Sequence, residues 1–595
     1  GLTNAHIEQL DLFNPYGVYD NGIYKIGDAN AGVFLDTIIY QRKYDANSQR
    51  VFDKSLRQAM GLNTNGTDWI DVDSYDMENN SINYYDQDGN LKTVTLENGF
   101  NIDMFSADEL LNDGNNYVSY YGYDYKGNKL TTNPSFDDFF NEKDEFGNCT
   151  RPVAPYQPIY MAGYIQDKFA FKDLIFNIGF RVDRFDANQK VLKDPYLLYA
   201  SKTAKEVTNL NEIPSNIGDD YVVYVNSVKD PTKIMGFRNG NTWYNSEGAE
   251  VVDPEKYLDD GYGVSPYLVN PDDQTVKAEA FEDYTPQNSF MPRISFSFPI
   301  SDVALFFAHY DVLTQRPTSN VRMNPIDYLF WPTRSNPTIN NPNLKPEQTI
   351  DYEIGFNQKI GPTSAIKISA FYREIRDQIQ MFRYTSAYPK TYYSYNNIDF
   401  GTVKGLTISY DLRRTKNAQI STSYTLQFAE GTGSDASSAS ALIRSGQPNL
   451  RTLFPLNIDR RHAITLNLDY RFSDGKKYTG PVITRKTGDK VKTIQLLKNT
   501  GFNITFIGGS GTPYTKSSKT YPALISNDRI IQGSINGSRL DWNFRMDARI
   551  DKDIALEWGK DKEGNKKSAF INVYFQILNV LNSKNVLRVY SATGN

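Results

Sequence analysis

Residues 350–372, IDYEIGFNQKIGPTSAIKISAFY, fold back on themselves in a pattern that decides the architecture. Ile350, Tyr352, Ile354 and Phe356 alternate with Asp351, Glu353, Gly355 and Asn357. After a Gly361-Pro362 turn, Ile366, Ile368, Ala370 and Tyr372 alternate with Lys367, Ser369 and Arg373. Successive side chains of a strand point to opposite faces, so the segment predicts a hairpin that is apolar on one face and charged on the other.

The pattern recurs from about residue 157 onward. Leu174 to Val182, Ile294 to Ile300, Leu406 to Leu412, Ile464 to Tyr470 and Trp542 to Ile550 all alternate in the same way. With their flanking residues these runs are about 9–12 long, the length a tilted strand needs to cross a bilayer. Soluble strands average nearer 5–6 residues, which counts against a large soluble sandwich, propeller or adhesin. No stretch approaches the ~18 apolar residues of a membrane helix, and mean hydropathy is −0.55. Those two facts fit a transmembrane β-barrel, whose apolar surface lies on every second residue. Aromatic residues make up 14% of the chain. The net charge of −6 argues against a nucleic-acid partner. The single cysteine, Cys149, excludes an internal disulfide framework.

The connections alternate in length. Short turns are expected at Lys172-Asp173, Ser301-Asp302, Gly361 to Ser364 and Thr415 to Asn417, and long segments at 187–290, 314–346, 379–400, 430–460 and 509–538. All the long segments then emerge from one end of the sheet. Two connections, 473–499 and 554–567, fall on the short side yet exceed a tight turn. Residues 1–156 read differently: Asn-, Asp-, Gly- and Tyr-rich, with turns at Asp88-Gly89-Asn90, Lys126-Gly127-Asn128 and Phe146-Gly147-Asn148. They are expected to form loop-borne hairpins with one or two barrel strands, one near Val33 to Tyr40.

Several segments resemble one family. Asn341-Pro342-Asn343-Leu344-Lys345-Pro346-Glu347, then Tyr352-Glu353-Ile354-Gly355-Phe356, looks like the NPxLKPE…YExGF segment of TonB-dependent outer-membrane receptors. Tyr164 to Lys168 leading to Gly179 to Asp183, Asp459-Arg460-Arg461-His462, Gly509 to Thr515 and Asn579 to Asn582 agree in order and spacing. The closest likeness is to the large Bacteroidota-type branch, Oar-like and related to SusC. The resemblance implies an all-β fold, an antiparallel transmembrane barrel in the Gram-negative outer membrane with long extracellular loops. It also implies an N-terminal plug, and TonB as partner through that plug. About 13 strands of a barrel of about 22 are expected in this chain, with 157–595 as the C-terminal portion and no plug or TonB box. The chain opens at Gly1 and stops at Gly594-Asn595, so it is expected to be part of a longer protein or to be completed by a partner chain.

Arg181, Asp183, Arg293, Asp351, Glu353, Lys367, Arg373, Asp411, Arg413, Asp469, Arg471, Arg545, Asp547 and Arg549 are expected to face the lumen. There they would either line a solute path or satisfy one another, and the second role is the simpler. Tyr328, Trp331, Phe382, Tyr384, Tyr388, Tyr392, Tyr393 and Tyr395 are candidate ligand contacts, since rigid amphipathic rings give large contact area at low entropic cost. The competing reading places them in an interfacial girdle or a loop core, Trp331 above all.

Nothing points to catalysis. His6, His309 and His462 are far apart, and there is no nucleophile elbow or phosphate loop. Asp86-x-Asp88-Gly89-Asn90 suggests calcium, but Leu91 occupies the place of the obligatory glycine, so turn chemistry explains it better. No cofactor or metal is expected. The function implied is TonB-coupled import of a scarce solute across the outer membrane. The alternative is a structural or assembly subunit that scaffolds surface lipoproteins or belongs to a larger outer-membrane complex.

Overall fold

The computed structural model describes the chain except residues 1–5, 10–17, 21–22, 29–32, 47–48, 211, 259–263, 450, 488–489, 518–530, 561–565 and 595. Its main feature is one large antiparallel sheet. Twelve long strands follow one another as a meander: β1 (Ile159–Phe171), β2 (Leu174–Asp186), β3 (Gln287–Ser301), β4 (Ala304–Gln315), β5 (Glu347–Gly361), β6 (Ser364–Tyr384), β7 (Tyr392–Thr415), β8 (Ala418–Gly431), β9 (His462–Phe472), β10 (Thr500–Gly509), β11 (Asn543–Lys560) and β12 (Lys566–Ile577). A two-residue strand, Phe454–Pro455, adds to β8. The end strands β1 and β12 each have one neighbour among the described residues. No helix among those residues is long and apolar enough to cross a membrane.

Register explains why the alternation persists across the sheet. In an antiparallel ladder, directly opposed residues share a face. Phe298, Phe306, Phe356, Ile368, Ile408, Tyr424 and Ile464 stand opposite one another from β3 to β9. A second row, Ile294, Tyr310, Tyr352 and Tyr372, brings Tyr rings together at 5.2 and 6.2 Å between centroids. This face is open: Ile354 is 56% exposed and Ile360 61%. Such an extent of exposed apolar surface demands a non-aqueous neighbour.

The opposite face is polar. Arg293, Asp311, Asp351 and Arg373 stand in one row, and Asp411, Ser421, Asn467, Thr505 and Asp547 in another. Gly355 and Gly405 belong to this face for a steric reason. A Cβ on Gly355 would lie 2.6 Å from the Phe307 ring tip, and one on Gly405 would lie 2.5 Å from that of Phe371. Each aromatic lies over the glycine directly opposite it, a cross-strand pairing that fills the gap the missing side chain leaves.

The length asymmetry is present at both ends. Turns of two residues join β1 to β2, β3 to β4, β5 to β6 and β7 to β8, while 187–286, 316–346, 432–461 and 510–542 share the other end. Two expected loops prove shorter. Segment 379–400 is mostly strand, because β6 and β7 stay paired as far as Tyr384↔Tyr392 and only 385–391 turns. β11 runs on to Lys560 and β12 starts at Lys566, so 554–567 is largely ladder. The 473–499 connection contains its own hairpin, Val482–Thr487 with Lys490–Gln495.

Before β1, the strand Val33–Lys43 pairs within a separate four-stranded sheet and not with the main one. A small unit follows, in which helix Val51–Ala59 covers the sheet Trp69–Asp76, Ser81–Tyr85 and Leu91–Thr95 through Phe52, Leu56, Ile70 and Ile82. The three glycine turns share one device: Asp86, Asp124 and Asp144 each accept hydrogen bonds from the amide of the residue four positions on and from its Asn side chain. That is turn chemistry, and no cluster of metal-ligating side chains exists among the described residues.

Candidate functional site

At the long-loop end, the 187–286 and 316–346 connections and the 385–391 turn share one packed core. Residues 187–286 contribute a five-stranded sheet built from Val222–Val225, Ile234–Asn239, Thr242–Asn245 and two shorter strands. Val222–Val225 and Ile234–Asn239 are buried almost continuously, so successive side chains go into cores on both faces. Val223, Val225 and Phe237 pack inward with Ile217 and Tyr267. Tyr224 and Trp243 turn the other way and join Tyr196, Leu198, Tyr328, Trp331, Tyr384 and Tyr392.

The aromatic rings form a continuous chain through this second core. Trp331 lies 4.6 Å from Tyr392, Tyr392 stacks on Tyr384 at 4.9 Å, and Tyr384 meets Tyr196 at 5.2 Å. Polar tips are satisfied by backbone: Trp331 Nε1 donates to the Lys390 carbonyl at 2.8 Å, and the Tyr392 hydroxyl to that of Pro195 at 2.7 Å. Burial pushes the Tyr328 phenol well above its ordinary range. Burial also raises Asp327, against the Arg334 guanidinium 3.4 Å away.

Of the eight aromatic residues expected to contact a ligand, Tyr328, Trp331, Tyr384, Tyr392 and Tyr393 are buried. Tyr328, Trp331, Tyr384 and Tyr392 are spent on closing the core beside the loop sheet, and Tyr393 packs instead with Met381, Ala439 and Ile443. Phe382, Tyr388 and Tyr395 keep part of their surface. The Tyr388 hydroxyl donates to Gln274 Oε1 at 2.8 Å, tying the 385–391 turn to the 187–286 connection.

The expected inward charges sit on the polar face and pair largely with one another. Arg373 meets Asp351 at 3.1 Å, Arg181 meets Asp183 at 2.7 Å and Arg545 meets Asp547 at 2.8 Å. Glu353 is shared by His309 at 3.4 Å and Lys367 at 3.7 Å. Arg471 bridges Asp551 at 2.6 Å and Asp553 at 2.9 Å, while Asp469 pairs with Arg414. Asp411 accepts from Ser421 at 2.7 Å, and Arg549 donates to Asn572 at 3.2 Å. Arg293 stands opposite Asp311, and Arg413 lies at the short-turn end of β7. The Asp459-Arg460-Arg461-His462 segment gains a partner that its motif does not announce: Asp459, fully buried, is held by Arg461 at 3.1 Å and by Arg539, which lies far along the chain.

Residues 4–573 match the family described as TonB dependent receptor-like, beta-barrel. The chain belongs to that family. Its place is the Gram-negative outer membrane, and the open apolar face of the sheet is the face that meets lipid. Among solved structures, the FrpB iron transporter of Neisseria meningitidis aligns at 12% identity and TM-score 0.33, over 72% of this chain and 41% of that one. The ferric-catecholate import receptor Fiu of Escherichia coli K12 aligns at 12% and 0.33 over 72% and 47%. The siderophore receptor PiuA of Acinetobacter baumannii aligns at 12% and 0.32 over 76% and 50%. The chain thus spans half or less of the length of these three structures. No curated protein matches it.

The two-faced sheet carries a direct test. Ile354→Arg, on the lipid side, is expected to cost about 2–4 kcal/mol if it lies near the bilayer midplane. Ser409→Glu, on the polar face directly opposite Lys367, is expected to be close to neutral or slightly favourable. Heat-modifiable gel migration and outer-membrane yield measure both, and equal loss in the two variants would contradict the assignment of faces.

Proposed function

We propose that this chain is the wall and loop cap of a receptor that imports a scarce solute by TonB-coupled transport. The observation that carries it is the pairing of two surfaces in one sheet: an apolar face for lipid and a self-neutralised polar face, both under a packed cap. Ion pairs in register give the polar face little net charge to trap a solute, which suits a conduit more than a storage site. The cap is then extracellular, and its partly exposed rings Phe382, Tyr388 and Tyr395 are the contacts offered to the solute. The Oar-like branch of the family is the one whose motifs this chain shares.

The test is uptake in cells carrying the full-length protein. Solute accumulation is expected to fall to background when TonB is deleted or the proton gradient is collapsed, while surface binding persists. Accumulation that is indifferent to TonB sinks the proposal. A native complex that holds stoichiometric surface lipoproteins and supports no uptake would replace it with the scaffold role.

A further inference from the structure

The 473–499 connection departs from the two-residue turns that join β1 to β2, β3 to β4, β5 to β6 and β7 to β8 at the same end of the sheet. It carries seven basic residues against two acidic ones, a net +5 in a chain whose total is −6. Its central hairpin, Val482–Thr487 with Lys490–Gln495, pairs with no other strand among the described residues. A lone two-stranded hairpin is marginal in water. This one also contains a rung that works against it, because Arg485 stands directly opposite Lys492. Ile483 and Ile494 form the rung two residues nearer the root on the same face, and they are 50% and 43% exposed. One face of the hairpin therefore sets open aliphatic groups beside two cations.

The root of the hairpin is held firmly, and its position decides what the hairpin can reach. The Tyr478 hydroxyl donates to the Pro481 carbonyl at 2.7 Å and accepts from the Leu497 amide at 3.0 Å, which ties the two feet together. The Gln495 side chain exchanges two more bonds with the Gly475 backbone, at 3.2 and 2.9 Å. The Tyr478 ring lies 6.0 Å from Phe472, the last residue of β9, and Phe472 lies 5.2 Å from Tyr470. By alternation Phe472 shares a face with Tyr470, Leu468 and Ile464, the face that meets lipid. The hairpin thus leaves the sheet on its lipid side, at the end of a membrane-crossing strand, and not over the polar face.

We propose that the 482–495 hairpin docks on anionic phospholipid headgroups at the short-turn side of the membrane. Phosphate oxygens between Arg485 and Lys492 relieve their repulsion, while Ile483 and Ile494 enter the boundary between headgroups and acyl chains. Cations interleaved with exposed aliphatic groups, next to a membrane-crossing element, are the composition such a surface holds. An acidic polypeptide would neutralise the cations, but it gives no reason for the hairpin to spring from the lipid side. The inference rests on the lipid-facing assignment of the sheet and not on solute import.

Hydrogen exchange of the full-length protein in lipid nanodiscs tests this. The ladder amides of the hairpin are expected to exchange roughly tenfold more slowly in discs containing phosphatidylglycerol than in discs of phosphatidylcholine alone, and raised salt should remove most of the difference. Arg485→Glu gives a signature that a merely structural role would not. It turns the like-charge rung into an opposite-charge pair, so exchange should slow in phosphatidylcholine. It also weakens attraction to the surface, so exchange should quicken in phosphatidylglycerol. The change lies on an exposed hairpin outside the main sheet, so heat-modifiable migration should match the parent. Should the variant fail to fold, the lipid and salt comparison on the parent decides alone. Equal rates in the two discs overturn the proposal, as does a difference that ignores salt, or a variant that slows exchange in both lipids. Protection conferred by poly-L-glutamate but not by phosphatidylglycerol would assign the hairpin to an acidic partner instead. Exchange reads no transport, so lost uptake leaves this contact standing, and equal exchange in the two discs leaves import standing.

Discussion

Trp331→Ala is expected to detach the loop cap and leave the main sheet intact. Trp331 is fully buried, touches Tyr392 at 4.6 Å and anchors the 385–391 turn through its bond to the Lys390 carbonyl. Truncating a buried tryptophan typically costs about 3–5 kcal/mol, from lost transfer energy plus the cavity left behind. Here the Lys390 carbonyl also loses its donor. The cap has its own core, separate from the open faces of the sheet, so the loss should appear as local opening. Limited proteolysis should therefore cut within 187–286 and 316–346 in the variant and spare the parent, while heat-modifiable migration stays the same. Trp331→Phe, which keeps most of the ring but not the donor, should lie between. Unchanged cleavage would show that the cap is not held by this core.

The contrast between sheet and cap explains what was legible in the sequence. Strand alternation is a local property, so Ile354 and Ile368 announce their face from their immediate neighbours. The cap is assembled from residues distant in sequence, such as Tyr196 with Tyr384 and Trp331 with Tyr392. Local patterning carries no trace of those pairs. Segment 379–400 shows the same limit from another side. Its ladder continues, but register slips occur between Ile375 and Ile379, and Asp377 sits at φ 57°. The slip breaks the period-two pattern, and the Tyr-rich run beyond it reads as loop. Family motifs point to the envelope through residues such as Asn341 to Glu347, yet they say nothing of the buried pairs that close the cap.

Arg238→Met should be nearly as damaging as Trp331→Ala, for an electrostatic reason. Arg238 is 2% exposed; it meets Asp194 at 2.5 Å, the Tyr224 hydroxyl at 2.9 Å and the Gly240 carbonyl at 2.8 Å. Its guanidinium also lies over Tyr196 at 4.6 Å and Trp243 at 5.6 Å, the same rings that continue to Tyr384 and Trp331. Removing the cation strands Asp194, which is only about a quarter exposed, together with the buried Tyr224 hydroxyl, at a cost that approaches the ~3–5 kcal/mol of a fully buried pair. Replacing the whole polar set with apolar groups of similar volume is often neutral, because no charge is then left without a partner. So Arg238→Met alone should abolish hydrogen-exchange protection across Ile234–Asn239, and adding Asp194→Leu with Tyr224→Phe should restore most of it. Failure of the triple variant to recover would mean that the cation's stacking on Tyr196 and Trp243, not its pairing, holds the cap. That outcome would also predict strong coupling between Arg238 and Tyr196 in a double-mutant cycle, since the guanidinium lies directly over that ring.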